Sequence, residues 1–592
     1  MTTDSSSAVL YALPSYRVQP IDGRSLMLLR LDSGAVAALD ARWQPFLGLL
    51  ETFRTLAEHA QVIASRVPEL RGQEAALTGA LEQLVPRGVF ISSDEVLARL
   101  APSDNPPPPS PVTVCIRTCD RPQLLERLLA SLQANADTFA KQRRYEVIDD
   151  SRQPASIQRN RQLIEQFSRT LHLEYVGRAE QQALIDALCA ELPEDTHALR
   201  WLLDSEHPDH ADQPTYGVLY NQLFLRHAGQ RILMLDDDAV LKAWQHPDTE
   251  WTPWFALGAG IGTAYTQADS AFAELQPYSA DPLDAHVRAL GADVGSGIAA
   301  STGEVATQSC LHNSAFVSAP HPYALDGRIR YTLNGLLGDT GSTTDHLLLY
   351  YAPELIPQII ESDERYHRLR TSPRCAFTGT RRGLLTGVSH FHHTTCAGLA
   401  LDPLIAPVIP IGRGEDAMLG NLLSYLYPED FGLRLPFGLE HWPEQPRPWA
   451  LAPEQIASPP SACSVMTMWL ATLRAPVEVT PQARLHLLGE SLAASADSGV
   501  LSARVQDLIQ RRLHETLIDQ FAITQQSLAV KGAISDAWRH EITKISQWLA
   551  KRLHDSTALL PPQQIDALAA TIQRYGETLG AWERAFRVRT RV

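Results

Sequence analysis

The residues best placed for chemistry are three adjacent carboxylates, Asp236, Asp237 and Asp238, which close the apolar run Arg231-Ile-Leu-Met-Leu235. Three like charges at a strand end repel one another unless water, a cation or a basic partner offsets them. Oxygen-only ligands suit hard divalent ions such as magnesium or manganese, which complete their shell with water and substrate phosphate. On its own the triplet fits a solvated acidic turn equally well, so context has to decide. If the strand persists through it, alternate side chains share a face. Asp236 and Asp238 then point together as candidate metal ligands, and Asp237 faces elsewhere.

Other reactive types cluster elsewhere. Tyr145-Glu-Val-Ile-Asp149-Asp150 is a second apolar run ending in carboxylates, and Gly412-Arg-Gly-Glu415-Asp416 puts two at a predicted helix start, where the N-terminal dipole favours the ionised form. A charge at a helix start needs no further role. His390-Phe-His392-His393-Thr-Thr-Cys396 invites a zinc reading but has no matching second half, so these side chains are expected to line a pocket or a polar turn. Arg121 and Arg413 could neutralise phosphate. Trp251, Trp254 and Tyr265 could stack on a sugar ring, although aromatics are more often core.

The elements that must position these groups follow from pattern. Strand–helix alternation begins after Ala101–Pro111, whose prolines favour extended geometry. Val112–Thr118 is a strand; Pro122 suits a first helical turn, and leucines at 124, 125, 128, 129 and 132 give the next helix its apolar face. Helices are expected at Ser156–Thr170, Ala179–Glu191 and Tyr216–Ala228, which implies a largely parallel sheet with its ligand crevice along the carboxyl ends of the strands. Residues 250–410, rich in Gly, Ser, Thr and His, are expected to supply loops on the acceptor side. From Thr467 to Phe586 amphipathic helices dominate, including Ser502–Ala522 and Ile534–His554. The basic tail from Arg584 to Arg591 is by default a solvated helix end. Within residues 1–100, strands at Ser25–Leu31 and Ala35–Leu39 flank an Asp32-Ser-Gly34 turn, helical periodicity covers Phe46–Ala57 and Glu74–Leu84, and Gly88–Ser92 returns as a strand. This order resembles the winged-helix topology of PqqD-like peptide-recognition domains; a small α+β scaffold or dimerisation module has the same pattern.

At 592 residues the chain exceeds one core. A net charge of −16 argues against a general nucleic-acid binder, which needs a basic face. Seven scattered cysteines do not form a secreted disulfide framework, and neither a leader nor an apolar run of membrane-spanning length is visible, so a cytoplasmic setting is expected. The expected division is a winged-helix-like module at 1–100, a linker at 101–111, an α/β domain at 112–448 and a helical domain at 449–592.

Residues 112–240 resemble the nucleotide-binding half of a family 2-type glycosyltransferase with the GT-A fold. Val112-Thr-Val-Cys-Ile-Arg-Thr-Cys-Asp-Arg-Pro122 is similar to that family's opening strand and Thr-Tyr-Asn-Arg-Pro turn, and Val147-Ile-Asp-Asp-Ser151 to its second strand. Asn221 matches the asparagine of its Ala-Arg-Asn segment, with Tyr220 in place of the usual arginine, and Asp236-Asp-Asp238 matches the Asp-X-Asp signature. Gly412-Arg-Gly-Glu-Asp416 resembles its Glu-Asp motif. The resemblance implies nucleotide contacts from Thr118, Asp120, Arg121, Asp149 or Asp150, Asn221 and Asp237. It further implies a manganese or magnesium ion on Asp236 and Asp238 with His441 as a third ligand, and Asp416 as general base beside Glu415. An insertion near Glu191–Pro214 and an expanded segment before Glu415 depart from the family and leave the acceptor class open.

The expectation is therefore a metal-dependent inverting transferase of the hexosyltransferase type. A uridine-diphosphate sugar is the implied donor and a peptide or protein the implied acceptor, and the helical region would help position that acceptor or form an oligomer. A surface-polysaccharide or lipid-linked glycan acceptor is the alternative within the class. A non-catalytic glycan- or protein-binding scaffold is the alternative outside it. A nucleotidyltransferase should carry a Gly-rich basic signature after the first strand, and Arg117–Pro122 contains no glycine.

Overall fold

Four parallel strands, Val112–Thr118, Arg144–Asp149, His172–Val176 and Arg231–Asp236, form the half of the molecule that the strand–helix alternation predicts. In space the third strand lies outermost, then the second, the first and the fourth, so the order reverses between Val112–Thr118 and Arg231–Asp236. Helices leaving neighbouring strands to opposite faces open a crevice beyond the carboxyl ends at such a reversal. Register pairs Arg117 with Asp236 across it. Three of these strands, Val112–Thr118, Arg144–Asp149 and Arg231–Asp236, are buried along most of their length, which is why they read as apolar runs rather than alternations, while the outermost, His172–Val176, is only partly covered. Pro122 opens the helix Pro122–Phe139, and its five predicted leucines are all buried.

The computed structural model describes residues 8–31, 33–102, 112–255, 263–265, 272–314, 327–341, 360–392, 395–447, 449, 460–476, 479–497, 499–532, 534–555 and 560–591. Beyond the fourth strand the described sheet continues through Cys396–Ala400, Ile329–Gly338, Phe431–His441, Arg382–Gly387 and Glu250–Phe255. The segment expected to be loops thus carries strands as well. Cys396–Ala400 runs antiparallel to both its neighbours, making the sheet mixed. The eleven-residue strand Phe431–His441 is buried along almost its whole length, and Ala239–Gln245 pairs antiparallel with it, Ala239 opposite His441. That register fixes His441 beside the acidic triplet.

Among the described residues after 460, five helices dominate: Ala462–Thr472, Pro481–Asp497, Leu501–Leu528, Asp536–His554 and Pro562–Arg589. Trp469, Leu488, Trp582 and Phe586 from these helices share one apolar cluster with Leu223, Met418 and Leu422 of the α/β part. Buried donors find partners across the same contact: Trp582 Nε1 donates to the Ile405 carbonyl at 2.6 Å and Tyr575 Oη to that of Pro407 at 2.8 Å. Arg584, in the stretch expected to be a solvated basic end, pairs with Asp195 at 2.5 Å. Among the described residues no helix is long and apolar enough to cross a membrane.

At the N-terminus, Ser25–Arg30 and Val36–Asp40 form the expected hairpin, joined by a third strand, Tyr16–Pro20, that its pattern did not announce. Asp32 of the predicted turn and residues 103–111 of the predicted linker lie outside the described residues. The helix expected over Phe46–Ala57 does not form. A 3₁₀ stretch, Ala41–Leu49, ends first, and the α-helix starts only at Leu56, because Thr55 caps it and Glu58 reaches back to the Thr55 amide. The expected return strand is reduced to Ile91–Ser92, paired with Tyr11–Ala12.

Candidate active site

The strand Arg231–Asp236 ends at its last residue, and Asp237-Asp238 form the turn into Ala239–Gln245. Strand alternation therefore does not extend through the triplet, yet its outcome holds: Asp236 and Asp238 line the crevice while Asp237 is fully buried behind them. Asp237 Oδ2 accepts from Thr118 Oγ1 at 2.8 Å, and its Oδ1 forms an ion pair with Arg121 Nη2, also at 2.8 Å, without a hydrogen bond. Burial pushes its carboxyl up to about 7, against the pull of Arg121 and with the Asp238 charge adding to the push. Asp238 Oδ1 lies 2.9 Å from His441 Nε2 and Oδ2 lies 3.3 Å from Arg121. Burial would raise the Asp238 carboxyl, but the His441 hydrogen bond and charge outweigh it and hold it low; His441 is raised in return. Asp236 Oδ1 accepts from Arg117 Nη2 at 2.6 Å.

The opposite wall comes from the start of the helix Glu415–Leu426. Gly414 at its N-cap takes a φ of 97°, a left-handed conformation that a side chain disfavours, and this lets Glu415 and Asp416 enter the first turn facing the crevice. Burial, reinforced by the Asp416 charge, pushes Glu415 up to about 7. Asp416 Oδ1 accepts a hydrogen bond from the Tyr220 hydroxyl. The Arg117 guanidinium lies over the Tyr220 ring, 4.3 Å from its centroid. The crevice has a volume of about 370 Å³ and is also lined by Tyr216, Arg413 and Arg447.

The donor set can be tested against a divalent cation. His441 turns its Nδ1 to the Asp339 carbonyl, which directs Nε2 at Asp238 Oδ1 and orients the ring as backbone carbonyls orient metal-binding imidazoles. Asp339 is itself anchored by Arg374 at 2.9 Å and Arg447 at 2.8 Å. Asp236 is drawn toward Arg117, and among the described residues it does not converge with Asp238 and His441 within 4.8 Å of one another. A manganese or magnesium ion here would have to be held by one or two carboxylates plus substrate phosphate, and not by a closed protein cage. The described ligand types that do converge are Cys115, Glu146 and His227. Both Glu146 oxygens there accept from Arg226 at 2.9 Å, so that cluster is a buried ion pair rather than a vacant coordination site.

Thr118, Arg121, Asp236, Asp238, Glu415, Asp416 and His441 are brought together at the crevice with Asp237 beneath them, while other predicted contacts turn into the protein. Asp149 accepts from the Ser151 amide at 2.8 Å, Tyr175 Oη at 2.8 Å and Asn160 Nδ2 at 3.0 Å. Asp150 accepts from Ser205 at 2.8 Å and Thr215 at 3.0 Å and is ion-paired with Arg178 at 2.9 Å, so the inserted segment near 191–214 covers it. Asp120, with a φ of 53°, accepts from the amides of Arg152 and Gln153 and braces the turn after the first strand. Asn221 is buried and ties its helix to residue 408 by donating to the Val408 carbonyl at 2.9 Å and accepting from the Val408 amide at 2.8 Å. Burial lowers His392, with the Asp416 charge opposing that shift; His393 and the Tyr265 side chain lie outside the described residues. Trp251 packs in a ring stack with Tyr278 and Phe437, as core aromatics do.

Sequence reasoning did not reach Arg117, Tyr216 and Arg447 as site residues. A lone arginine in the otherwise uncharged strand Val112–Thr118 was the one available signal, since a buried charge there needs a partner.

No protein-family model matches the sequence, and no curated protein matches it. Among solved structures, the chain is similar to the crystal structure of S. aureus TarS 1-349. The match has 11% identity over 76% of this chain and 92% of that one, with a TM-score of 0.24, and a likeness this slight says nothing about fold or activity.

Proposed function

We propose that the chain is a metal-dependent inverting glycosyltransferase with GT-A architecture. It would take a sugar from a nucleoside diphosphate, UDP being the expected one, to a peptide or protein acceptor. The observation that carries this reading is the crevice at the strand-order reversal, where Asp236, Asp238 and His441 face Glu415 and Asp416 from opposite walls. One wall suits a donor's diphosphate and the other an acceptor's proton. Asp236, Asp238 and His441 would hold the cation, which when bound neutralises diphosphate charge. Arg121, Arg413 and Arg447 line the same crevice and supply further positive charge where phosphate oxygens would lie. Asp416 takes the proton of the acceptor as it attacks. A peptide acceptor draws support from the N-terminal sheet, where Met27 (42%) and Val36 (58%) expose apolar side chains to solvent.

Calorimetric titration of a panel of nucleotide sugars, with and without manganese, tests this reading in wild type and in the Asp236→Ala/Asp238→Ala variant. Metal-dependent binding of one nucleotide sugar, lost in the variant, is the expected result. Absence of binding to every member under both conditions would replace this reading with the scaffold alternative.

A further inference from the structure

An aspartate that serves as a base has to present one oxygen along a fixed line, yet the terminal torsion of aspartate is soft and its carboxylate plane is set only by what it touches. Asp416 has one such contact. Its Oδ1 accepts from the Tyr220 hydroxyl, and among the described residues Oδ2 accepts no hydrogen bond. Tyr220 is well suited to aim that contact, because its ring is fully buried in the apolar cluster, packed edge-on against Phe224 at 5.7 Å. The Arg117 guanidinium lies over the same ring and donates to Asp236 on the other wall. Strand, helix and acceptor wall are thereby joined in one chain of contacts: Asp236, Arg117, Tyr220, Asp416.

We propose that Tyr220 is a positioning residue, whose hydroxyl holds Oδ1 of Asp416 so that Oδ2 receives the acceptor proton, while Arg117 ties this pair to the donor-side Asp236. The inference rests on the transferase reading of the crevice. In the step itself the acceptor oxygen forms a bond to the anomeric carbon as its proton passes to Oδ2. The electron pair of the old carbon–oxygen bond leaves with the diphosphate. The charged and titratable groups around Asp416 are Arg117 on the opening strand, Glu415 on its own helix, His392 beyond Arg382–Gly387 and the Cys463 thiol of Ala462–Thr472. Tyr220 supplies the hydrogen bond, and those neighbours supply only field.

The test uses the full chain with manganese and either UDP-glucose or UDP-N-acetylglucosamine, water serving as acceptor. Binding is followed by calorimetry and turnover by release of UDP. Tyr220→Phe keeps the ring over Arg117 and removes only the hydroxyl. Its binding of the nucleotide sugar should stay within about twofold of wild type, which also reports that the variant has folded. Its kcat should fall about 10–100-fold at unchanged KM, the size of effect seen when an orienting partner is lost, and the acidic limb of its pH–rate profile should move to higher pH. Unchanged kcat and profile in Tyr220→Phe would overturn the role of Tyr220 and leave the transferase reading standing. A rise in KM alone would do the same. If wild type binds neither these two nor any other nucleotide sugar of the panel, the transferase reading fails and the inference fails with it.

Discussion

Two acidic clusters share the parallel sheet, and they answer their charge in opposite ways. Glu146 faces one arginine bidentately, with His227 at 3.4 Å, and its side chain is only 2% exposed. Both oxygens are hydrogen-bonded, and the Arg226 that holds them reaches on to the half-exposed Glu174 at 3.3 Å. At the crevice, Asp236, Asp237 and Asp238 divide Arg117, Arg121 and His441 among themselves, and the Arg121 side chain remains 42% exposed. The titration of the two clusters differs accordingly. Burial alone would raise Glu146, but the hydrogen bonds from His227 and Arg226 outweigh it and hold the carboxyl at about 2. Across the crevice Asp237 and Glu415 are pushed up to about 7. A cluster satisfied by its own partners is architecture, and one left with raised carboxyls in an open cleft is where a ligand has work to do.

The largest separation between the two should come from removing one carboxylate in each. Asp416→Asn should lower turnover on the order of 10²–10⁴-fold while nucleotide-sugar binding and thermal stability stay near wild type. Glu146→Ala should do the reverse. It leaves Arg226 buried without its bidentate partner and should cost about 3–5 kcal/mol of stability, with donor binding unchanged in any fraction that remains folded. Denaturant titration paired with calorimetry reads both. A Glu146→Ala protein of wild-type stability would erase the distinction drawn here.

Opposite pKa shifts predict opposite pH slopes. The folded value of Glu146 lies below its unfolded value, so its contribution is fully present above about 4.3 and is lost as pH falls toward 2, an effect of about 3 kcal/mol. Glu415 is shifted the other way. Between about 4.3 and 7 the unfolded chain has released that proton and the folded chain still holds it, so stability without metal falls as pH rises through this window. Glu415→Gln should reduce that decline between pH 5 and 8, leaving the part that Asp237, shifted the same way, contributes. Glu146→Gln should flatten only the acid side. Urea midpoints measured across pH 3–8 check both, and a Glu415→Gln protein with the wild-type slope would refute the assignment.

How much of this was legible beforehand depended on the range of the interaction. Leucines at 124–132 announce their helix because its apolar face is written in consecutive turns. The triplet at 236–238 likewise announces itself, since its repulsion is local. Arg117 and Asp236 are 119 residues apart, and Arg447 and Asp339 are 108 apart. Such partners become visible only once the sheet order has brought their strands together. Asp149 and Asp150 show the converse limit. A carboxylate at a strand end looks available in sequence, and only the packed structure reveals that Tyr175, Asn160, Ser205 and Thr215 already use its oxygens. Residues 46–57 went astray for a local reason: apolar spacing suggested one helix from Phe46, and the Thr55–Glu58 capping box placed the start at Leu56.

The smallest effect sharpens the comparison most. Manganese that binds the folded chain alone stabilises it by mass action, by about 2.7 kcal/mol at one hundred times its dissociation constant. His441→Gln removes the crevice imidazole, whose Nε2 pairs with Asp238, and should weaken manganese on the order of 10–100-fold, which reduces the manganese-induced rise in melting temperature. His227→Gln removes the imidazole of the other cluster. Glu146 there remains occupied by Arg226 on both oxygens, so the manganese-induced rise should persist on a less stable baseline. A rise that survives His441→Gln and vanishes in His227→Gln would mean that the closed cluster, and not the crevice, holds the ion.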